Sequence, residues 1–259
     1  MSGSRVTGLA LTPVKGTRLR AVDAVTLDGN GVRQNRRFFL IDAGDEMVNS
    51  LRLGALHSVV AEYSESRRRL RLVFPDGRVL DDEVRLGPVV TTSFYGQPMP
   101  ASLVEGAWSD ALSELVGKPL RLVEAGDEGA VDRGPRGAVS LISRASLERL
   151  AAEGSLDEVD SRRFRMLIEI DGVGAHDEDE WVGRSLSVGQ AKVRLEGHVG
   201  RCVITTRNAE SGEVDVPTLK LLGRYRRDLD TTEPLPFGVY GRVLEPGTVR
   251  VGDPVVLDR

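Results

Sequence analysis

The chain of 259 residues contains one cysteine, Cys202, in the stretch GRCVITTRNAESG. Arg201 precedes it, and a β-branched run ending in Thr205 and Thr206 follows it. A free cysteine is most often a small buried hydrophobic residue. Neighbouring arginines such as Arg201 and Arg207 can also stabilise a thiolate, the form that attacks electrophiles and binds soft metals. On these residues alone, Cys202 is either a core side chain or a soft metal ligand.

The sequence lacks the residues for common zinc, nucleotide-binding, serine hydrolase and calcium sites. A structural zinc site needs four ligands, whereas the chain offers Cys202 and the scattered His57, His176 and His198. The sequence has no P-loop, no G-x-G-x-x-G between a strand and a helix, and no G-x-S-x-G turn. The acidic segment 171–183 lacks the ligand spacing of a calcium-binding helix-loop-helix, so we expect a solvated loop there.

The overall composition limits the partners and the compartment. Lys and Arg number 35 against 39 Asp and Glu, a net charge of -4 that argues against nucleic acid as a partner. A single cysteine cannot form an internal disulfide, which predicts a reducing compartment, the cytoplasm. The sequence contains neither a signal peptide nor a run of the ~20 apolar residues that a membrane helix needs, so we expect no membrane partner.

The pattern of apolar runs and turns predicts a mostly β fold with a few short helices. The 29 glycines and 12 prolines separate short runs with strand character. Two such runs, 58–63 and 70–74, are joined by a polar turn, and Pro75-Asp76-Gly77 closes the second. This arrangement predicts a β-meander.

Helical spacing of apolar residues occurs in three segments. The first ends at Gly117, the second begins at a capping Ser143 and ends at Gly154, and the third follows Pro217. Their apolar faces contain Trp108, Leu112, Leu115 and Val116 in the first, Leu147, Leu150 and Ala151 in the second, and Leu219, Leu222 and Tyr225 in the third. The charged, Gly-rich stretch 124–139 between the first two predicts a domain boundary near residue 125.

Two long motifs resemble a known family, the MOSC domain, which is the C-terminal module of molybdenum cofactor sulfurases and occurs in the amidoxime-reducing molybdenum proteins. The C-terminal motif comprises an Arg-Cys pair, a Thr-Thr step, an acidic or Asn position, Ser/Thr-Gly and a helix ending in Tyr-Arg. These are Arg201-Cys202, Thr205-Thr206, Asn208, Ser211-Gly212 and Tyr225-Arg226. The stretch LALTPVKG to RRFFLID is similar to the β-barrel that precedes the MOSC domain in that group. The resemblance implies an N-terminal MOSC-associated β-barrel domain over 1–125 and a MOSC β-barrel over 126–259.

The resemblance also implies a cofactor and its ligands. The cofactor is the molybdenum cofactor, a pterin-bound molybdenum, in a cleft between the two domains, with Cys202 as the metal ligand at the catalytic centre. Arginine can hold phosphate oxygens in a bidentate fork, while lysine acts as a point charge. The positions that match the family's cofactor contacts, or that adjoin them, are Lys15, Gly16, Arg36, Arg165 and Arg201.

The charged positions match the family, whereas several neutral positions differ. We expect these differences to alter the pterin contacts and the substrate pocket. The differing positions are Gly16 where serine often follows the lysine, Asn35 where Asp precedes the arginine, Met166-Leu167 in place of Pro-Asn, and Val199 at the first cysteine of a Cys-x-x-Cys variant.

As a function, the resemblance implies a molybdenum-dependent oxidoreductase that reduces small N-hydroxylated or N-oxide compounds. The chain lacks the cysteines for an iron–sulfur cluster of its own, so an external flavoprotein, iron–sulfur or haem carrier must deliver the electrons. Two alternatives stay open. Cys202 could bear a persulfide as part of a sulfur carrier, or the chain could bind the cofactor without turnover.

Overall fold

The fold is built mainly from short strands, which confirms the mostly β prediction. The computed structural model describes residues 3–48, 50–126, 134–231 and 233–258. The strands of these residues are β1 (Arg5–Leu11), β2 (Arg20–Ala21), β3 (Ala24–Leu27), β4 (Phe38–Ile41), β5 (Met47–Val48), β6 (Val60–Ser64), β7 (Arg69–Val73), β8 (Val79–Glu83), β9 (Arg85–Phe94), β10 (Gln97–Glu105), β11 (Arg121–Ala125), β12 (Val139–Ser143), β13 (Ile168–Asp171), β14 (Ser185–Val188), β15 (Ala191–His198), β16 (Val239–Glu245), β17 (Gly247–Arg250) and β18 (Val255–Leu257).

The largest sheet contains eight strands in the order β18-β14-β15-β16-β12-β13-β1-β2. Backbone hydrogen bonds from Val6 N to Asp253 O (2.9 Å) and from Val255 N to Ser4 O (2.8 Å) bring the start of β1 next to β18 at the other end of the sheet. Among the described residues, the one bridge between these strands is Arg5 with Pro254, and proline has no N–H to continue a ladder. Within the described residues the sheet is therefore not closed into the predicted barrel.

The second sheet has five strands in the order β5-β4-β11-β10-β9. In the part of the chain that the structure describes, a single bridge between Glu46 and Ser93 joins its edges, so continuous pairing does not close this sheet either. Phe39 and Ile41 of β4 are fully buried in a small core with Phe94 of β9. The core holds the tip of the β9–β10 hairpin against the sheet.

The predicted meander is confirmed as a three-stranded sheet. β6 pairs antiparallel with β7, and β7 pairs with β8. Gly77 has φ +84°, and its N–H donates to Phe74 O at 3.0 Å, so the glycine provides the left-handed turn between β7 and β8.

The three α-helices are α1 (Trp108–Val116), α2 (Arg144–Gly154) and α3 (Thr218–Leu222). α1 ends as predicted, at Gly117 in the left-handed conformation, and the Ser143 side chain caps α2 by accepting from Ser146 N. α2 also ends at Gly154 as predicted. α3 differs from the prediction, because it stops at Leu222 and Tyr225 lies in the following turn. None of the helices in the described ranges is long and apolar enough to cross a bilayer.

The acidic segment 171–183 is not a fully solvated loop, because Glu178 within it is completely buried. Its Oε1 accepts from Ser143 N (3.1 Å) and Ser146 Oγ (2.8 Å), at the start of α2. Burial raises the pKa of this carboxyl. The expectation of a solvated loop was wrong here because the residue bonds to a helix start that is distant in sequence.

Strands from the beginning of the chain complete sheets of its second half. β1 pairs antiparallel with β13, and β3 pairs with β17. Residues 127–133, in the stretch where we placed the domain boundary, lie outside the described residues. The division near residue 125 stays a prediction.

Candidate functional site

A cleft of about 430 Å³ lies where residues from both halves of the chain meet. Five of the six site residues predicted from the sequence line it, namely Lys15, Gly16, Arg36, Arg165 and Cys202. The other lining residues are Ser50, Leu51, Tyr95, Gly137, Ser140, Phe164, Met166, Val199, Ile204 and Tyr240.

Cys202 is an exposed free thiol, not a core side chain. Its backbone is extended, and a 3-10 turn (Val203–Thr206) follows it directly. The Thr205 hydroxyl donates to Cys202 O at 3.1 Å and fixes the start of that turn. An exposed thiol on a fixed turn is available to a metal or an electrophile in the cleft.

Arg201 is the one predicted site residue that does not line the cleft. Its side chain is buried, and Nε donates to Phe237 O (2.8 Å) while one terminal nitrogen donates to Phe164 O (2.8 Å). Its guanidinium lies 5.2 Å from the centre of the Phe164 ring. These contacts make Arg201 a support behind the cleft wall, and the alternation of side chains along an extended chain accounts for its opposite direction.

Lys15 and Gly16 enter the cleft from the loop that follows β1. Lys15 N donates to Phe38 O at 2.8 Å, which fixes the loop on β4. Lys15 is buried, and its ammonium lies 5.7 Å and 5.5 Å from the ring centres of Phe94 and Tyr95. Gly16 has φ +97°, a conformation that strains any residue with a side chain, so glycine fits this position better than the family's serine.

The two cleft arginines connect the halves of the chain to each other. One terminal nitrogen of Arg36 donates to Arg165 O at 2.7 Å, and one of Arg165 donates to Thr17 O at 2.9 Å. Both residues have left-handed backbones, with φ of +53° and +55°. Arg36 thereby holds the segment that carries Arg165, and Arg165 holds the loop that carries Lys15 and Gly16. Both arginines line the same cleft.

The electrostatics of the cleft favour an anionic ligand. Its described lining contains Lys15, Arg36 and Arg165 but no Asp, Glu or His. Nearby His57 is almost fully buried, and its pKa is lowered to about 4 by burial and by the positive charge of Arg165. The residues present therefore fit a ligand that combines a phosphate with a group for the Cys202 thiol.

A second contact between the halves was not foreseen from the sequence. Arg207 donates to Gly212 O (2.7 Å) and to Leu51 O (3.0 Å), and His57 Nδ1 lies 3.1 Å from Asn208 O. An isolated arginine or histidine in a polar segment carries no signal of such pairing. These bonds hold the loop of Leu51, which is part of the cleft wall, on the loop that follows Cys202.

Sequence reasoning also missed much of the neutral lining of the cleft. Tyr95 comes from the β9–β10 hairpin, Ser140 from β12 and Tyr240 from β16. Only the pairing of distant strands brings these residues together. The sequence Tyr95-Gly96, which forms the β9–β10 turn, was the one available sign.

Residues 128–256 match the family model described as MOSC domain. The chain belongs to the MOSC domain family. Its MOSC segment contributes Cys202 and Arg165 to the cleft, whereas Lys15, Arg36 and Tyr95 come from the chain before the matched region. A complete cleft therefore requires both halves.

The chain is also similar to curated proteins over part of its length. Mitochondrial amidoxime-reducing component 1 of Mus musculus is 35% identical over 130 residues, which are 44% of this chain and 37% of that protein. Mitochondrial amidoxime reducing component 2 of Homo sapiens is 36% identical over 99 residues, 36% of this chain and 29% of that protein. The match thus spans only about a third of each relative.

Among solved structures, the YUAD protein from Bacillus subtilis is similar to this chain with a TM-score of 0.46 and 10% sequence identity. The similarity covers 98% of this chain and 94% of that one.

Proposed function

We propose that the chain binds the molybdenum cofactor in the cleft and reduces N-hydroxylated or N-oxide compounds with electrons from a separate carrier. The observation that carries this proposal is the lining of the cleft. It places three cations from two halves of the chain beside an exposed thiol, with no carboxylate among its described residues.

Cys202 is the residue that would hold the metal. No group of three or more His, Cys, Asp and Glu side chains in the described part of the chain is arranged as a metal site. Cys202 would thus be a single protein ligand, and the cofactor itself would have to provide the others. A soft thiolate suits a redox-active metal that already has sulfur ligands.

Lys15, Arg36 and Arg165 would hold the phosphate of the cofactor. Arginine presents a planar fork to phosphate oxygens, and the left-handed backbones of Arg36 and Arg165 are fixed by hydrogen bonds between the halves. The Lys15 ammonium is restrained by two aromatic rings. These side chains would bind and orient the ligand without large rearrangement.

The bound molybdenum would supply oxygen-atom chemistry, and the protein would supply position and electrostatics. Overall, the N–O bond of the substrate breaks and the oxygen leaves as water, which requires two electrons and two protons. The electrons would come from an external flavoprotein, iron–sulfur or haem carrier. The similarity to proteins named amidoxime-reducing components supports this choice of substrate class.

The proposal is tested by measuring molybdenum and pterin per chain at matched expression. Cys202→Ser should abolish molybdenum retention, because serine is nearly isosteric but a harder ligand. Arg36→Ala and Arg165→Ala should each lower the affinity for the pterin roughly ten- to a hundredfold and thereby lower its occupancy, since a charge-assisted hydrogen bond typically contributes ~1.5–3 kcal/mol.

Arg68→Ala is the matched control for the two arginine variants. Arg68 has the same left-handed backbone, with φ +48°, but it lies in the β6–β7 turn outside the cleft. Its replacement should leave pterin occupancy unchanged. Equal occupancy in all three arginine variants would refute the phosphate site, and metal-free protein with labile sulfur on Cys202 would favour the sulfur carrier.

A further inference from the structure

Tyr95 occupies a position that turn chemistry and burial both disfavour. Phe94 pairs with Gln97, so Tyr95 and Gly96 form a two-residue hairpin turn between β9 and β10. Both have positive φ, +50° and +79°, as in a type I′ turn, where Asn, Asp or Gly normally takes the first position. Tyr95 is also 62% exposed. A tyrosine at this position stabilises the folded state less than an asparagine would.

The structure fixes the ring of Tyr95 at the cleft. Phe94 is buried and stacks edge-on with Phe39 at 5.3 Å, which anchors the end of the hairpin in the core. The Tyr95 ring stands edge-on to Phe94 at 5.0 Å, and the Lys15 ammonium lies 5.5 Å from its centre. Tyr95 is thus a held aromatic surface, largely open to solvent, beside a proposed phosphate ligand.

The rest of the neutral lining suits a flat apolar group. Phe164, Ile204, Val199 and Leu51 face the same cleft as Cys202 and Tyr95. The described lining has no carboxylate to pair with a cationic substrate. A neutral compound with an aromatic group can stack on tyrosine, whereas a small aliphatic compound cannot.

From the strained turn, the exposed ring and its place in the cleft, we infer that Tyr95 is a specificity-determining residue. It selects N-oxygenated substrates that carry a neutral aromatic group over small aliphatic ones. This inference rests on the proposed reductase function. Tyr95 takes no part in the bond changes and acts by binding the part of the substrate that does not react.

The test compares N-hydroxybenzamidine and N-hydroxyacetamidine as substrates of the cofactor-loaded protein, with a reduced viologen as electron donor. The measured quantity is the ratio of kcat/KM for the aromatic to the aliphatic compound. Tyr95→Asn removes the ring and provides the residue that a type I′ turn prefers. This ratio should fall about three- to tenfold, the size expected for one aromatic pair.

Two further variants separate the ring from its surroundings. Tyr95→Phe keeps the ring and should keep the ratio. Val89→Thr changes an apolar residue of the same hairpin that is 68% exposed and lies outside the cleft lining, and it should also keep the ratio.

Melting temperature and pterin content show whether the ring acts on the substrate. Tyr95→Asn should melt at the parent temperature or above it and should retain its pterin. A lower melting temperature would make the ring structural, and a loss of pterin would assign it to the cofactor, so either result overturns the inference. An unchanged ratio with an active parent overturns the role of Tyr95 alone, whereas a cofactor-loaded parent inactive on both compounds overturns the reductase function as well.

Discussion

Replacing Gly212 with alanine tests how the two halves of the chain form the cleft. Gly212 has φ +75°, and a Cβ at this position would lie 1.9 Å from Gly54 O. Arg207 bonds to Gly212 O and to Leu51 O across the same contact. The loops therefore touch backbone to backbone, and a methyl group cannot be added unless they move apart.

The size of the effect follows from two contributions. A residue with a side chain in the left-handed region costs about 1–2 kcal/mol. To reach an ordinary contact of 3.4 Å, the loops must separate by about 1.5 Å, which breaks at least one hydrogen bond of Arg207. A bond to a charged group contributes about 1.5–3 kcal/mol. The free energy of unfolding should therefore fall by about 2.5–5 kcal/mol.

Gly183→Ala is the matched control. Gly183 has φ +84°, but a Cβ there would meet no atom within 4 Å. This variant has the left-handed strain without the clash, so it should lose only about 1–2 kcal/mol. The difference between the two variants isolates the contact between the loops.

Urea unfolding followed by circular dichroism measures both variants, and pterin per chain reports on the cleft. We expect Gly212→Ala to lose stability and pterin together, because Leu51 lines the cleft. Equal losses of stability in the two variants, or full pterin content in Gly212→Ala, would show that the contact of Gly54 with Gly212 does not shape the site.

Two other predictions concern electrons and pH. Purified protein with NADH alone should not reduce N-hydroxylated compounds, and a viologen or a carrier protein should restore turnover; robust NADH-driven activity without a second protein would exclude an external carrier. Burial and the Arg165 charge lower the pKa of His57 to about 4, so its contribution to stability is present above pH 6.5 and is lost as the pH falls towards 4. His57→Asn keeps a donor for Asn208 O and should remove up to ~3 kcal/mol of the stability that is lost in acid. Urea unfolding from pH 7 to 4 measures this change. If the free energy of unfolding fell with pH as steeply as in the parent, other groups would cause the acid dependence.

The ordered motifs in the sequence predicted which distant residues lie together better than any single residue did. Lys15, Arg36, Arg165 and Cys202 are far apart in the chain and line one cleft, as the resemblance implied, although their roles stay predictions. Arg201 shows that a motif does not determine the direction of each side chain. It adjoins Cys202 in sequence, yet its side chain bonds to Phe237 O in the interior.

The remaining differences arise from contacts between distant parts of the chain. Alternating apolar residues predict strands, but closure of a sheet depends on single edge positions such as Pro254, which ends the ladder at β1. Charge predicts exposure, but Glu178 is buried because it bonds to Ser143 and Ser146 at the start of α2. The sequence around Pro254 does not show that it pairs with Arg5, and the sequence around Glu178 does not show that it bonds to the start of α2.

The cleft arginines have strained backbones, and the sequence around them does not show this strain. An arginine in a polar turn has the composition of a solvated surface residue, whereas Arg36 and Arg165 have left-handed backbones that glycine or asparagine would adopt at lower cost. Arg68 shares that conformation outside the cleft, so strain alone does not mark a site. What distinguishes Arg36, Arg165 and Tyr95 is that three strained residues from separate segments line one cleft with Cys202. Glycine or asparagine would adopt each of these backbone conformations at lower cost, and the proposed role in ligand binding would account for all three side chains together.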